Sequence, residues 1–229
     1  MKFLAIAAVA AGLAVSGAAN AAAITGLFNT GTDASDLALA GGDGVADPHY
    51  VITSSTAGGD IPRAAVTYFN SAYLANDATS RWISLSADGT PGNDLTTYEL
   101  TFDLTGFDAS SASLSGLWGV DNEVEMFLNG VSTGNKLTGD VPGVVDQGDF
   151  ASFQALHAFT VNSGFQAGVN HLDFVVLDTG PPTALRVDSL TGTANLASVP
   201  EPATWAMMLM GFGGLGALLR QRRRIAATA

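Results

Sequence analysis

Three acidic side chains, Asp121, Glu123 and Glu125, stand at alternate positions in the run Asp121-Asn-Glu-Val-Glu125. In an extended segment alternate residues point to one side, so the three carboxylates would share a face. Such a row suits two chemistries: hard oxygen ligation of Ca²⁺, or an acid/base pair for glycoside hydrolysis. It equally suits a solvated face behind a core of Val124 and Met126. Trp82 and Trp118 are candidate glycan contacts, because an indole offers a flat apolar face with an N–H at its edge; a tryptophan inside a strand pattern also suits a core. His49, His157 and His171 have no metal-ligand spacing, and the chain has no cysteine nucleophile and no Gly-x-Ser-x-Gly. Its glycines fall between short strands, without a following helix to cradle phosphate. The expectation is a non-enzyme with no catalytic residue and no cofactor, a structural Ca²⁺ on the carboxylate row being the one exception considered.

These residues must be positioned by strands. Tyr98, Leu100, Phe102 and Leu104 alternate with Glu99, Thr101, Asp103 and Thr105, a half-buried strand by its period of two. Similar runs include Ala112 to Val120, Val124-Met126-Leu128, and Leu172-Phe174-Val176; Leu185 and Val187 alternate with Arg186 and Asp188. Asn129-Gly130 is a hairpin signal. Short strands are also expected at Ile24 to Phe28 and His49 to Thr53, with the rest of 29–60 read as mobile loop, and the spacing of apolar residues in Phe150 to Phe159 suggests a helical turn or irregular packing. Many short strands, glycine- and proline-rich turns and no long amphipathic helix in the body predict an all-β antiparallel sandwich.

The chain has 229 residues and no cysteine, so packing or a bound cation must take the place of disulfides. Residues 22–197 contain four basic residues against twenty acidic ones, a net charge of −16. A field of that sign repels nucleic acid and suits neutral or cationic glycans, divalent cations, or solubility. Residues 1–21 have one lysine, an apolar run from Phe3 to Val15 and an Ala19-x-Ala21 ending, the pattern of a signal peptide handled by the Sec translocon and signal peptidase.

At the other end, Pro200-Glu201-Pro202 is followed by Trp205, an uncharged stretch over 203–219, and Arg220, Arg222, Arg223 and Arg224. The prolines interrupt any helix before the apolar stretch. As a helix at ~1.5 Å per residue the stretch would reach roughly 25 Å, a short single membrane span held by a cytoplasmic basic cluster, with the body periplasmic. The order of motif, apolar stretch and arginines resembles the PEP-CTERM sorting signal, in the subtype with Trp-Ala after the triplet. The resemblance implies over 198–229 recognition by an exosortase, with Glu201 as a substrate residue, removal of the tail near the triplet, and release to the cell surface or an exopolysaccharide-rich matrix.

The body carries a second resemblance. Tyr98 to Phe107, Leu117-Trp-Gly-Val-Asp-Asn122 with Phe127-Leu-Asn-Gly130, and Gly168 through Asn170-His-Leu-Asp-Phe174 to Leu185-Arg-Val187 are similar to the galactose-binding-like jelly roll of carbohydrate-binding modules. That resemblance implies a structural or glycan-binding role in the exopolysaccharide matrix; the alternative is a carbohydrate-active hydrolase or an accessory module of one.

Overall fold

The period-two segments form strands that pair antiparallel throughout. In this computed structural model, residues 21–138, 152–197 and 202–226 are described. In chain order the elements are β1 (Ala21–Ala23), β2 (Ala46–Ser55), β3 (Arg63–Thr67), β4 (Ile83–Ser84), β5 (Leu95–Asp103), β6 (Phe107–Asp121), β7 (Glu123–Leu128), β8 (Val131–Leu137), β9 (His157–Val161), β10 (Val169–Leu177), β11 (Ala184–Leu196) and α1 (Pro202–Ala226). Hydrogen bonding runs in the order β8-β7-β10-β5-β2-β3-β4-β11-β6-β9, with β1 added to β11. The sheet folds over on itself as a sandwich. Trp118 of β6 meets Phe174 of β10 across the core, ring centroids 6.1 Å apart, and Tyr50 of β2 meets the same Phe174 at 6.1 Å.

Inward positions on these strands build one apolar cluster that runs in sequence from Ile24 to Ala194. The unit Asn20–Leu196 is compact and contains that whole core, so it has what it needs to fold alone. Burying a large apolar side chain stabilises by roughly 1.5–3 kcal/mol. One or two such residues match the ~2–4 kcal/mol of a typical disulfide, and the cluster has many, which is how a cysteine-free body can hold its shape. A smaller cluster of Tyr68, Tyr73, Trp82 and Ala184, with Phe153 against it, closes one flank.

The expected turns are made by the residues that favour them. Asn129 and Gly130 both take positive φ, 53° and 77°, the requirement of a two-residue hairpin whose twist matches its strands. Asn170, fully buried at the start of β10, accepts from the Gln166 amide and from Asn129 Nδ2 at 2.9 Å each, and donates to the Gln166 and Gly168 carbonyls at 2.8 Å. It ties the Gly168 turn to the hairpin.

Four expectations are corrected. Ile24 to Phe28 is not a strand: β1 ends at Ala23, and the chain turns at Gly26 with φ 80°. The strand expected at His49 to Thr53 is present as the ten-residue β2, but the stretch before it is no mobile loop, since Asn29, Thr30 and Thr32 are buried. The Thr30 hydroxyl donates to the Arg81 carbonyl at 2.7 Å and accepts from the Val187 amide at 2.9 Å, so polar side chains anchor this segment where apolar ones are scarce. The 150–159 stretch, of which 150 and 151 lie outside the described residues, becomes a turn leading into β9 rather than a helical turn. Arg186, expected on the solvent side of β11, is only 1 % exposed because residues 75–80 cover it.

Candidate functional site

The register of the β8-β7-β10-β5-β2 half decides which side chains share its outer face. Phe127, Asp173, Glu99 and Val51 stand directly opposite one another across β7, β10, β5 and β2. The next row outward along the strands is Glu125, Val175 and Thr97, and then Glu123, Leu177 and Leu95. Their neighbours along each strand point to the buried side, so the outer face is left half-open by the pleat itself. Two depressions lie on it. One, about 390 Å³, is lined by Glu99, Asn129, Gly130, Gln166, His171 and Asp173. The other, about 240 Å³, has an apolar floor of Leu95, Val175 and Leu177 beside Glu125 and Lys136.

The electrostatics of the first depression are unusual for a strand pair. Glu99 and Asp173 are like charges directly opposite each other, an arrangement that costs stability. Burial raises the Asp173 carboxyl above its ordinary range and the charge of Glu99 adds to the rise, with His171 opposing it. His171 Nδ1 lies 3.2 Å from Glu99 Oε1, and the Thr101 hydroxyl donates to the same oxygen at 3.2 Å. In the second depression Glu125 accepts from the Ser132 hydroxyl at 2.6 Å and pairs with Lys136 at 2.9 Å, which together hold its carboxyl below the usual range. The face therefore combines hydrogen-bond acceptors, one half-buried aromatic ring and an apolar floor.

Of the residues singled out in the sequence, the structure keeps some together and disperses others. Trp82 is fully buried, its Nε1 donating to the Leu74 carbonyl at 2.8 Å and its ring 4.8 Å from Tyr73. Trp118 is 1 % exposed between Phe159 and Phe174. Neither can present a ring to a sugar, because each indole face is already covered by core aromatics. The carboxylate row is also divided. Asp121 ends β6 and is buried, accepting from the Tyr73 hydroxyl at 2.7 Å, while Glu123 and Glu125 belong to β7 on the other half of the sandwich. The chain changes sheet at Asn122, so the three do not form one face. Among the described residues no three acidic, histidine or cysteine side chains converge as a metal-holding group.

Glu99, Phe127, His171 and Asp173 were not singled out in the sequence. The period-two pattern does place each of them on a solvent side, but only the pairing register brings them into one patch.

The C-terminal segment forms a helix of its own, α1. Pro200 and Glu201 lie outside the described residues, and Pro202 opens α1, a first-turn position where its missing N–H costs nothing. Trp205 is 56 % exposed, and Arg220 is exposed as well; Arg222, Arg223 and Arg224 fall within the same helix. Among the described residues no helix is long and apolar enough to cross a membrane, so the expected span over 203–219 is not met. The four glycines at 211, 213, 214 and 216 dilute the apolar character of this stretch, and arginines follow at once. Residues 198–224 match the family model of the PEP-CTERM protein-sorting motif. The chain ends in a PEP-CTERM signal. Such a signal implies processing by an exosortase and sorting of the exported chain to the cell surface. Glu201→Ala is expected to leave the chain unprocessed, seen as accumulation of the full-length form on an immunoblot of the cell fraction; processing at the normal rate would show that the acidic residue is not read.

No curated protein matches the chain. Among solved structures it is similar to the Stig cyclase Fisc from Fischerella sp. TAU, at 13 % identity over 78 % of this chain and 100 % of that one, TM-score 0.41. It is also similar to the CBM36-1 domain of a multidomain xylanase from the hindgut metagenome of Trinervitermes trinervoides, at 12 % identity over 79 % and 100 %, TM-score 0.28. A CBM4 structure matches at 19 % identity over 54 % of this chain and 76 % of that one, TM-score 0.29.

Proposed function

We propose that the PEP-CTERM signal delivers a glycan-binding body to the cell surface and its exopolysaccharide matrix, and that the outer face of β7, β10, β5 and β2 is the binding surface. The observation that carries this reading is the cross-strand row of Phe127, Asp173, Glu99 and Val51, whose two carboxylates line the 390 Å³ depression. Sugar hydroxyls donate well to carboxylates, and the apolar face of a pyranose packs on an aromatic ring. The opposed carboxylates cost the free protein stability, a cost that a ligand bridging them would offset. With a body charge of −16, uronic-acid polymers are repelled, so the glycan is neutral or carries amino groups.

The test is retention of the 22–197 body on neutral, amino-sugar and uronic polysaccharides in affinity electrophoresis. Retention by one of the first two classes is expected, weakened at least tenfold by Asp173→Asn and by Phe127→Ala. The Asp173 carboxyl is raised in the folded state. Its contribution to stability is therefore present below the unfolded pKa and lost as pH rises through the folded value. Asp173→Asn removes that loss, so the variant should melt no lower than the native protein at pH 7, which separates lost binding from lost folding. No retention on any glycan, or equal retention by the variants, would reject the face. Reducing sugar released in proportion to protein and abolished by Glu99→Gln would establish a hydrolase instead.

A further inference from the structure

Two carboxylates sit where a core should be apolar. The inward row of β5 begins with Thr96, Tyr98 and Leu100, and that of β10 ends with Leu172, Phe174 and Val176. One step beyond, at the same end of the sandwich, come Asp94 and Asp178, 3 % and 1 % exposed. The pairing of Val176 with Thr96 and Leu177 with Leu95 continues through them, the Asp178 amide donating to the Asp94 carbonyl at 2.9 Å. They are thus directly opposite, on the same face, with like charge.

Their hydrogen bonding is incomplete. Asp178 Oδ1 accepts from the Gly180 amide at 3.1 Å, but no well-aligned hydrogen bond reaches Asp178 Oδ2 or either carboxylate oxygen of Asp94, although the Asn93 and Thr179 amides lie near Asp178 and the Thr96 hydroxyl near Asp94. The hydroxyls of Tyr98 and Thr183, both fully buried, also make no well-aligned hydrogen bond, with Ser84 and the Leu85 main chain close to that of Tyr98. The Tyr98 hydroxyl is raised first by burial and then by the charge of Asp94, which places it on the same cluster. Burial raises both aspartates, and at Asp94 the charge of Asp178 adds to it, with the Thr96 hydroxyl opposing. None of the ion pairs among the described residues reaches either carboxylate, and Arg63, the basic residue that acts on Tyr98, directs its Nη2 to the Leu85 carbonyl at 2.7 Å. The surrounding loops are closed tightly: a Cβ at Gly92 would run into Pro181 and lie 2.8 Å from Asp178 Oδ2.

We propose that Asp94 and Asp178 hold one hard divalent cation, Ca²⁺, at the end of the core where β5 starts and β10 stops. A single proton shared by the pair would supply one donor where three carboxylate oxygens lack a well-aligned hydrogen bond, and would leave a buried acceptor poorly satisfied. A divalent cation balances both charges and draws carboxylate, hydroxyl and carbonyl oxygens together. Two carboxylates alone do not fill the shell of Ca²⁺, so main-chain carbonyls and water complete it. The ion cross-links the 86–94 and 178–183 loops, taking the place of a staple in this cysteine-free chain. This site is separate from the divided Asp121, Glu123 and Glu125 row.

The test uses the compact body, dialysed against chelator and titrated with CaCl₂ by calorimetry and by thermal melting. One Ca²⁺ per chain and a melting point several degrees higher at millimolar Ca²⁺ are expected. Asp94→Asn and Asp178→Asn should each weaken binding at least tenfold, while Asp60→Asn, an exposed loop change, should leave it intact. Terbium luminescence sensitised by Tyr98 and displaced by excess CaCl₂ reads the native protein directly, should either variant fail to fold. No bound Ca²⁺ and no terbium emission would overturn the site in favour of a proton-sharing pair. Undiminished binding in both variants together with its loss in Glu123→Gln would overturn it in favour of another location.

Discussion

Trp118→Ala should destabilise the body by about 3–5 kcal/mol, the range for removing a large buried aromatic. A domain of this size has only about 5–15 kcal/mol in total, so the variant would be close to unfolding. Trp118 stands on β6 opposite Val187 of β11 and His157 of β9, and its ring touches Phe159 at 5.4 Å as well as Phe174 of the facing half. Its removal opens a cavity bordered by three strands and by the facing layer, which cannot collapse without shifting all of them. The measurement is the urea midpoint at constant m-value. A ligand-stacking tryptophan would behave in the opposite way, leaving the midpoint within about 0.5 kcal/mol and abolishing retention on glycans.

Arg186→Met is the second substitution expected to approach global unfolding. The guanidinium is 1 % exposed; its Nε donates to Ser80 Oγ at 2.8 Å, Nη1 to the Ala75 carbonyl at 2.7 Å, and Nη2 to Asp77 Oδ2 at 2.7 Å, with Asp188 Oδ2 at 3.7 Å. Methionine fills much of the space but satisfies none of these acceptors. Deleting one partner of a buried pair costs about 3–5 kcal/mol, because the charge left behind stays buried. Here that charge is Asp188, 7 % exposed. Asp77 is different: its side chain is 49 % exposed, so Asp77→Asn should cost less than about 1 kcal/mol. Similar urea midpoints for the two variants would show that the exposed partner, rather than burial of Asp188, dominates.

The fold class was legible because strand periodicity and the Asn129-Gly130 turn are local properties. Tyr98 to Phe102 needs only its own alternation to be placed, and β10 only the Gly168 turn and three inward apolar residues. What escaped the sequence depends on neighbours brought from far away. Arg186 alternates with apolar residues as a surface arginine would, yet the loop over 75–80 lies on top of it. Asp121, Glu123 and Glu125 look like one row until the chain crosses between halves at Asn122. The proposed binding face needed the register of four strands from four separate parts of the chain, so Glu99 and Asp173, far apart in sequence, gave no joint signal. A strand pattern favours the core for both tryptophans without excluding the surface, and the aromatic partners that decide between the two lie on other parts of the chain. The sorting motif over 198–224 was readable because its meaning is linear and independent of folding.

The pairing of β1 with β11 sets Ala21 beside Asn195, so the first strand of the body can be completed only by its last. Loop closure over nearly the whole chain has to precede that contact, which makes it slow to form. Until β11 is in place β1 has no strand to pair with, so the seam between the two closes only when the whole stretch from Ala21 to Leu196 is available.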